Sequence, residues 1–236
     1  MLSDDGVEIP IVFKAHAQSR RITLKRNLID PPTIIYPRSI TQQAALKQIK
    51  PHPAYAKLRE QMLRPVENAI VNGYRTRLHT FEFHVNQAEN NFVAYESGDI
   101  VKVYIPAGED VGSHEVQRFL FKVLKSILRA EGERIVPALV AQRARELGLS
   151  YRSVAVKPMA TAWGKCSNDG RLLFSAALLL YPDQYVRMVV DHELAHLTYF
   201  QHSDAFWTLL SSYRGCDARQ EDREMSAYKL RIPTVY

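Results

Sequence analysis

No run of apolar residues in this 236-residue chain approaches the roughly 20 that a membrane helix needs. The longest stretch, around Phe174–Tyr181, is far too short, so no membrane partner is expected. The first residues include Asp4 and Asp5 and lack the basic-then-apolar pattern of a secretory signal, which predicts a cytoplasmic protein. Cysteine is scarce. Cys166 and Cys216 stand far apart and form no CxxC pair, which predicts reduced thiols rather than a disulfide or a cysteine-built metal site. Internal repeats and low-complexity segments are absent, which excludes a repeat array.

What is present suits a soluble globular chain: 46% hydrophobic and 24% charged residues. The length allows one large domain or two small ones. A net charge of +6 tilts the partners toward anions: nucleic acid, nucleotides or acidic protein segments. Charge of this kind says nothing about fold.

The N-terminal part reads as strand-rich. Val7–Ala15, Arg20–Lys25 and Thr33–Tyr36 carry alternating or β-branched runs, the last after Pro31-Pro32. Ile40–Ile49 reads as a helix capped by Thr41, and Ala54–Asn72 as a second, interrupted near Pro65. His79–Tyr95 and Ile100–Ile105 read as strands joined through Ser97-Gly98-Asp99. Pro106–Gly112 is a loop and the expected boundary between residues 1–110 and 111–236.

Beyond it the pattern turns helical. Glu115–Glu131 carries an apolar stripe opposite Arg118, Lys122, Lys125 and Arg129, and Arg134–Leu147 continues or restarts the helix before a Gly148 cap. Ser153–Lys157 and Arg171–Phe174 read as strands, the second after the turn Asn168-Asp169-Gly170. Helices are expected over Gln184–Phe200, Ser203–Tyr213 and Asp222–Leu230. The basic face of the long helix suits solvent, with nucleic acid as the alternative partner.

Chemistry concentrates in His192-Glu193-Leu194-Ala195-His196. On a helix, residues four apart share a face, so two imidazoles can grip one cation from the same side. Glu193 points to a neighbouring angle, beside the cation rather than on it, as a general base acting on water needs. Val186, Val190, Leu194 and Leu197 would anchor the helix to a core. The competing reading of the same letters is two part-buried surface histidines. His202 favours the metal, because it follows His196 at the metzincin interval and completes the three protein ligands of a catalytic zinc site. Tyr199 stands where that pattern has glycine, so the turn must be made differently. Ser203 can cap a new helix through Phe206, Trp207 and Leu210, leaving His202 at the corner. His16, His52, His79, His84 and His114 show no ligand spacing.

Trp163-Gly164-Lys165-Cys166-Ser167, Arg171–Tyr181, His192–His196, His202-Ser203 and Phe206-Trp207 together resemble the YgjP-like metallopeptidase family, related to SprT-like and other zincins. The specific likeness runs from about Gly132 to Pro233, and the N-terminal strands fit more loosely. Family members usually read Thr-Arg-Trp-Gly-Ser-Cys-Ser; here Ala162 replaces the arginine and Lys165 the serine. Ser175-Ala176 stands where Asn-Trp is usual. The resemblance implies zinc on His192, His196 and His202, with Glu193 catalytic. It also implies an α+β fold: a zincin-like metallohydrolase domain with an active-site helix, preceded by a β-rich N-terminal region.

A metal with an activated water serves peptide-bond hydrolysis first, giving a peptide or protein substrate. The alternative is a nucleoside triphosphate (UTP-type) pyrophosphatase, for which the chain has no GxxxxGK[ST] phosphate loop. A third reading is a nucleic-acid-associated module with a structural metal. Tyr199 and Lys165 are candidate oxyanion donors.

Overall fold

The computed structural model describes residues 2–4, 7–9, 11–25, 32–64, 66–87, 91–159 and 162–230. Asp5, Pro31, Pro65 and Pro233, which the sequence reading uses, lie outside the described residues. Strands β1 (Leu2–Asp4) and β2 (Val7–Ile9) pair antiparallel. Strands β3 (Val12–His16), β4 (Thr23–Lys25) and β5 (Thr33–Pro37) form a sheet in the order β3-β5-β4. Helices α1 (Gln42–Ile49) and α2 (Pro53–Leu63) follow. As expected, Thr41 caps α1 by accepting from the Ala44 N–H. The α2 helix stops at Leu63, short of Asn72, and residues 66–79 hold no helix or named strand. Gln117 secures that segment. Its side chain accepts from Ile70 N at 2.7 Å and donates to Ile70 O at 2.9 Å.

A second sheet has the order β6-β8-β7, from β6 (Thr80–Asn86), β7 (Val93–Ser97) and β8 (Ile100–Pro106). The hairpin at Ser97-Gly98-Asp99 is present, with Gly98 at φ 68°, where a side chain would be strained. Phe81, Val101, Val103 and Ile105 face inward, alternating with Glu82, Lys102 and Tyr104. They share one core with helix α3 (His114–Leu147).

The two helical segments expected around residues 115–147 are one 34-residue helix running through Pro137. Ser113 caps its start and Gly148, at φ 67°, its end. Gly132 lets α3 approach the next strand closely: a Cβ there would lie 2.8 Å from Val156 Cγ1.

The third sheet has the order β10-β11-β9, built from β9 (Ser153–Lys157), β10 (Gly164–Cys166) and β11 (Arg171–Ser175). A 3₁₀ turn over Ala176–Leu180 leads into α4 (Asp183–Ala195), then α5 (Asp204–Arg214) and α6 (Ala218–Ala227). The α6 helix begins earlier than expected because Asp217 accepts from the Arg219 and Gln220 N–H groups.

Apolar side chains gather in separate clusters. Ile11, Ile34, Ala45, Ile49, Tyr55 and Leu58 form one in the N-terminal part. The largest runs from Ile70 to Met225 and joins β6–β8, α3, β9–β11 and α4. Residue 110 therefore lies between two elements of a shared core. The fold is mixed α+β, and among the described residues no helix is long and apolar enough to cross a membrane.

Candidate metal centre

Helix α4 carries His192 and Glu193. Val186, Val190 and Leu194 are buried against the main core, as the periodicity predicts, and Leu197 is partly buried there. Its last helical residue is Ala195 rather than Phe200. The chain tightens there: Leu197 N bonds Leu194 O at 3.1 Å and Thr198 N bonds Ala195 O at 3.0 Å. These short-range bonds make the turn that glycine makes in the metzincin pattern. Tyr199 needs no left-handed backbone, since Asn68 is the only non-glycine with positive φ among the described residues. Ser203 then caps α5 by accepting from the Phe206 N–H, and His202 sits at the corner.

The three histidines converge. His192 Nε2 lies 3.2 Å from His196 Nε2 and 2.9 Å from His202 Nε2. A tetrahedral zinc with bonds of roughly 2.0–2.1 Å would set its nitrogens about 3.3 Å apart, near both of these separations, and all three ligand atoms lie within 4.8 Å of one another. Unprotonated imidazole nitrogens this close repel one another through their lone pairs, and a cation between them removes the repulsion. Burial, then His196 and His202, push the His192 imidazole down to about 3, which keeps it in the neutral, ligating form. His196 directs Nδ1 to the Tyr199 carbonyl at 2.9 Å. With Nδ1 donating, Nε2 presents its lone pair to the cluster. Tyr199 thus acts through its backbone, and its side chain, like that of Lys165, is exposed.

Phe206 is the platform. It is fully buried, and its ring centroid lies 4.9, 4.7 and 4.9 Å from those of His192, His196 and His202. Behind it, Ala195, Phe206, Leu210 and Ala218 form a small core that fixes α5 on the end of α4. Asp191, fully buried, adds an ionic lock. It accepts from Arg143 Nε at 2.8 Å and from Arg214 Nη1 at 3.0 Å. Arg214 also donates to Glu221 at 2.6 Å. This chain of charges joins α3, α4, α5 and α6 around the histidines. Removing one partner from such a network would strand a buried charge, at a cost of about 3–5 kcal/mol.

Glu193 is 5% exposed and points at β10. Burial pushes its carboxyl up to about 8, and Oε2 has no hydrogen-bond partner among the described residues. A Cβ on Gly164 would lie 2.4 Å from Glu193 Oε1 and 2.5 Å from its Cγ. Only glycine leaves room for this carboxylate. Gly164→Ala should therefore lower turnover by about 100-fold through displacement of Glu193, with metal content unchanged. Steady-state kinetics beside elemental analysis of the variant checks this. Unchanged kcat would show that Glu193 does not depend on the gap.

Among the described residues, no other histidine joins the cluster. His79 contacts the buried Glu131 at 2.8 Å, His84 stacks on Tyr104, and His114 contacts the Arg64 carbonyl. Cys166 stays outside too. Burial, then Glu193 and Asp169, push its thiol up to about 11. Cys216 is likewise a free thiol. Trp163 packs edge-on against Tyr181 at 4.9 Å and lines a cleft beside His192 and Glu193. Arg118, Lys122, Lys125 and Arg129 do not line that cleft, and Arg129 pairs with Glu133 at 3.0 Å. Sequence reasoning missed Asp191, Arg143, Arg214, the fit of Gly164 to Glu193, and Asp222 on the cleft wall. Only Asp191, an acid inside an apolar stripe beside the motif, left a local signal.

Three imidazoles converging from α4, its end and the corner before α5, beside the buried carboxylate of Glu193, have the make-up of a metal-dependent hydrolase. The family model for a YgjP-like, metallopeptidase domain matches residues 21–226, and the chain belongs to the YgjP-like metallopeptidase family. The match reaches well into the N-terminal strands, further than the motifs alone extend. The family implies a peptidase-like hydrolase with a metal cofactor. Among solved structures, the metallopeptidase zymogen abylysin of Pyrococcus abyssi is similar at 26% identity and a TM-score of 0.35, covering 39% of this chain and 94% of that one. No curated protein matches the chain.

Proposed function

We propose that this protein is a zincin-like, zinc-dependent peptidase in which His192, His196 and His202 hold the metal and Glu193 is the general base. The convergence of the three Nε2 atoms beside the buried Glu193 carries this reading. Zinc bound there would supply Lewis acidity, polarising the scissile carbonyl and making water acidic enough to attack at neutral pH. Glu193 takes the proton from the attacking water and passes it to the leaving amine nitrogen. Burial raises the proton affinity of this carboxyl, and a positive charge beside it would favour the ionised form that can accept a proton. Phe206 and the Asp191 lock hold the ligands in place, so little reorganisation is needed during reaction.

Strand β10 is the edge of its sheet and begins at Gly164, against Glu193. An extended peptide can lie along such an edge. Residues 111–236 carry the chemistry in this reading, and the β-rich region 1–110 contributes β6–β8 to the same core. Two free thiols suit a reducing, cytoplasmic setting.

The test is hydrolysis of peptides and of an unfolded protein by the zinc-loaded chain. Cleavage should stop with chelator and return with added zinc. Pyrophosphate release from UTP without any peptide cleavage would overturn the peptidase reading in favour of a phosphoanhydride hydrolase.

A further inference from the structure

The cleft beside His192 and Glu193 holds about 180 Å³. Its walls are largely apolar, from Trp163, Met188, Val189 and Met225. Helix α6 contributes Asp222, Met225 and Ser226, spaced so that all three share one face. Asp222 is the only charged residue of the lining besides Glu193.

Asp222 is half-buried, and burial raises its carboxyl above the usual range. It makes no hydrogen bond or salt bridge with a described residue. His202 and Arg223 oppose the effect of burial only from a distance. Arg223 donates instead to Gln220 at 2.7 Å, and His202 turns Nε2 into the histidine cluster. Asp222 is also not part of that cluster. A partly desolvated carboxylate with no donor is costly unless a cation reaches it.

We propose that this cleft is a specificity pocket for a basic side chain of a peptide substrate and that Asp222 selects it. The inference rests on the peptidase reading above. Lysine and arginine match the wall chemistry: the methylene stem lies along the methionines and Val189, and the charged head meets Asp222. The Trp163 ring offers further attraction to a cation. An acidic side chain is repelled. A neutral aliphatic one fills the space and leaves Asp222 unpaired.

The test uses the full chain, zinc-loaded and carrying Glu193→Gln so that bound peptides survive. N-acetylated, C-amidated pentapeptides differ only at the central residue: Lys, Arg, norleucine or Glu. Calorimetry should give Lys and Arg peptides about tenfold tighter binding than norleucine, as one added charge pair would. Adding Asp222→Asn should erase that difference with zinc content unchanged, and Asp222→Lys should favour the Glu peptide. Equal binding of all four peptides, no binding of any, or a basic preference that survives Asp222→Asn would each overturn the proposal. So would a loss of zinc in Asp222→Asn, which would make Asp222 a support of the metal. A preference only for free amino termini, measured with unacetylated peptides, would transfer the cation to the substrate's N-terminus and also overturn it. The peptidase reading fails separately, if the zinc-loaded wild type cuts none of these peptides.

Discussion

Glu193→Gln should bind zinc as the wild type does and turn over peptides about 10²–10⁴-fold more slowly, the usual contribution of a positioned general base. The amide has the carboxylate's shape, so the fit against Gly164 is kept. What it loses is the ability to take a proton. The metal-free state provides a second readout. Burial holds the Glu193 carboxyl up at about 8, above its unfolded value. The folded chain then binds more protons than the unfolded chain between roughly pH 4.5 and 8, so ionising Glu193 lowers stability as pH rises through that window. The neutral glutamine escapes this. Metal-free Glu193→Gln should therefore melt above the metal-free wild type at pH 8, and the gap should close toward pH 4.5. Full turnover in a variant purified away from wild type would remove Glu193 as the base.

His202→Ala should empty the metal site while the chain stays folded. His202 is exposed, at a corner between α4 and α5, so its loss opens no core cavity. The fall in zinc affinity should exceed the roughly 100-fold that follows loss of a hydrogen bond supporting a ligand. Elemental mass spectrometry after dialysis against a weak chelator measures it. His84→Ala, at a histidine stacked on Tyr104 in another sheet, is the control and should keep its metal. Near-stoichiometric zinc in both variants would mean that two histidines suffice, and the three-imidazole site would fall.

Much of this centre is written in short-range pattern. The i, i+4 spacing of His192 and His196 puts both on one helix face wherever that helix lies. Ser203 announces the start of α5, and so the corner that brings His202 back. The hairpin at Gly98 and the Gly148 cap were legible for the same reason: each depends on a few neighbouring residues and one backbone conformation. Where local signals competed, the reading slipped. The helix expected through Phe200 ends at Ala195, because packing on Phe206 and the Tyr199–His196 bond favour a tight turn over another helical turn. The break allowed between residues 131 and 134 does not occur, because α3 is held along its length by one continuous core.

The sequence by itself determined which atoms are available for chemistry: two imidazoles one turn apart, a carboxylate beside them and a third imidazole past a corner. Periodicity and capping act over distances of a few residues, and those the chain order specifies directly. The tertiary structure alone decided how these groups are tuned. Gly164 and Glu193 meet because β10 runs against α4, Arg143 reaches Asp191 across 48 positions, and Asp222 reaches the cleft because α6 folds back over it. Contacts of that kind depend on how whole elements pack, and packing is settled by the sum of many weak apolar contacts rather than by any local string of residues.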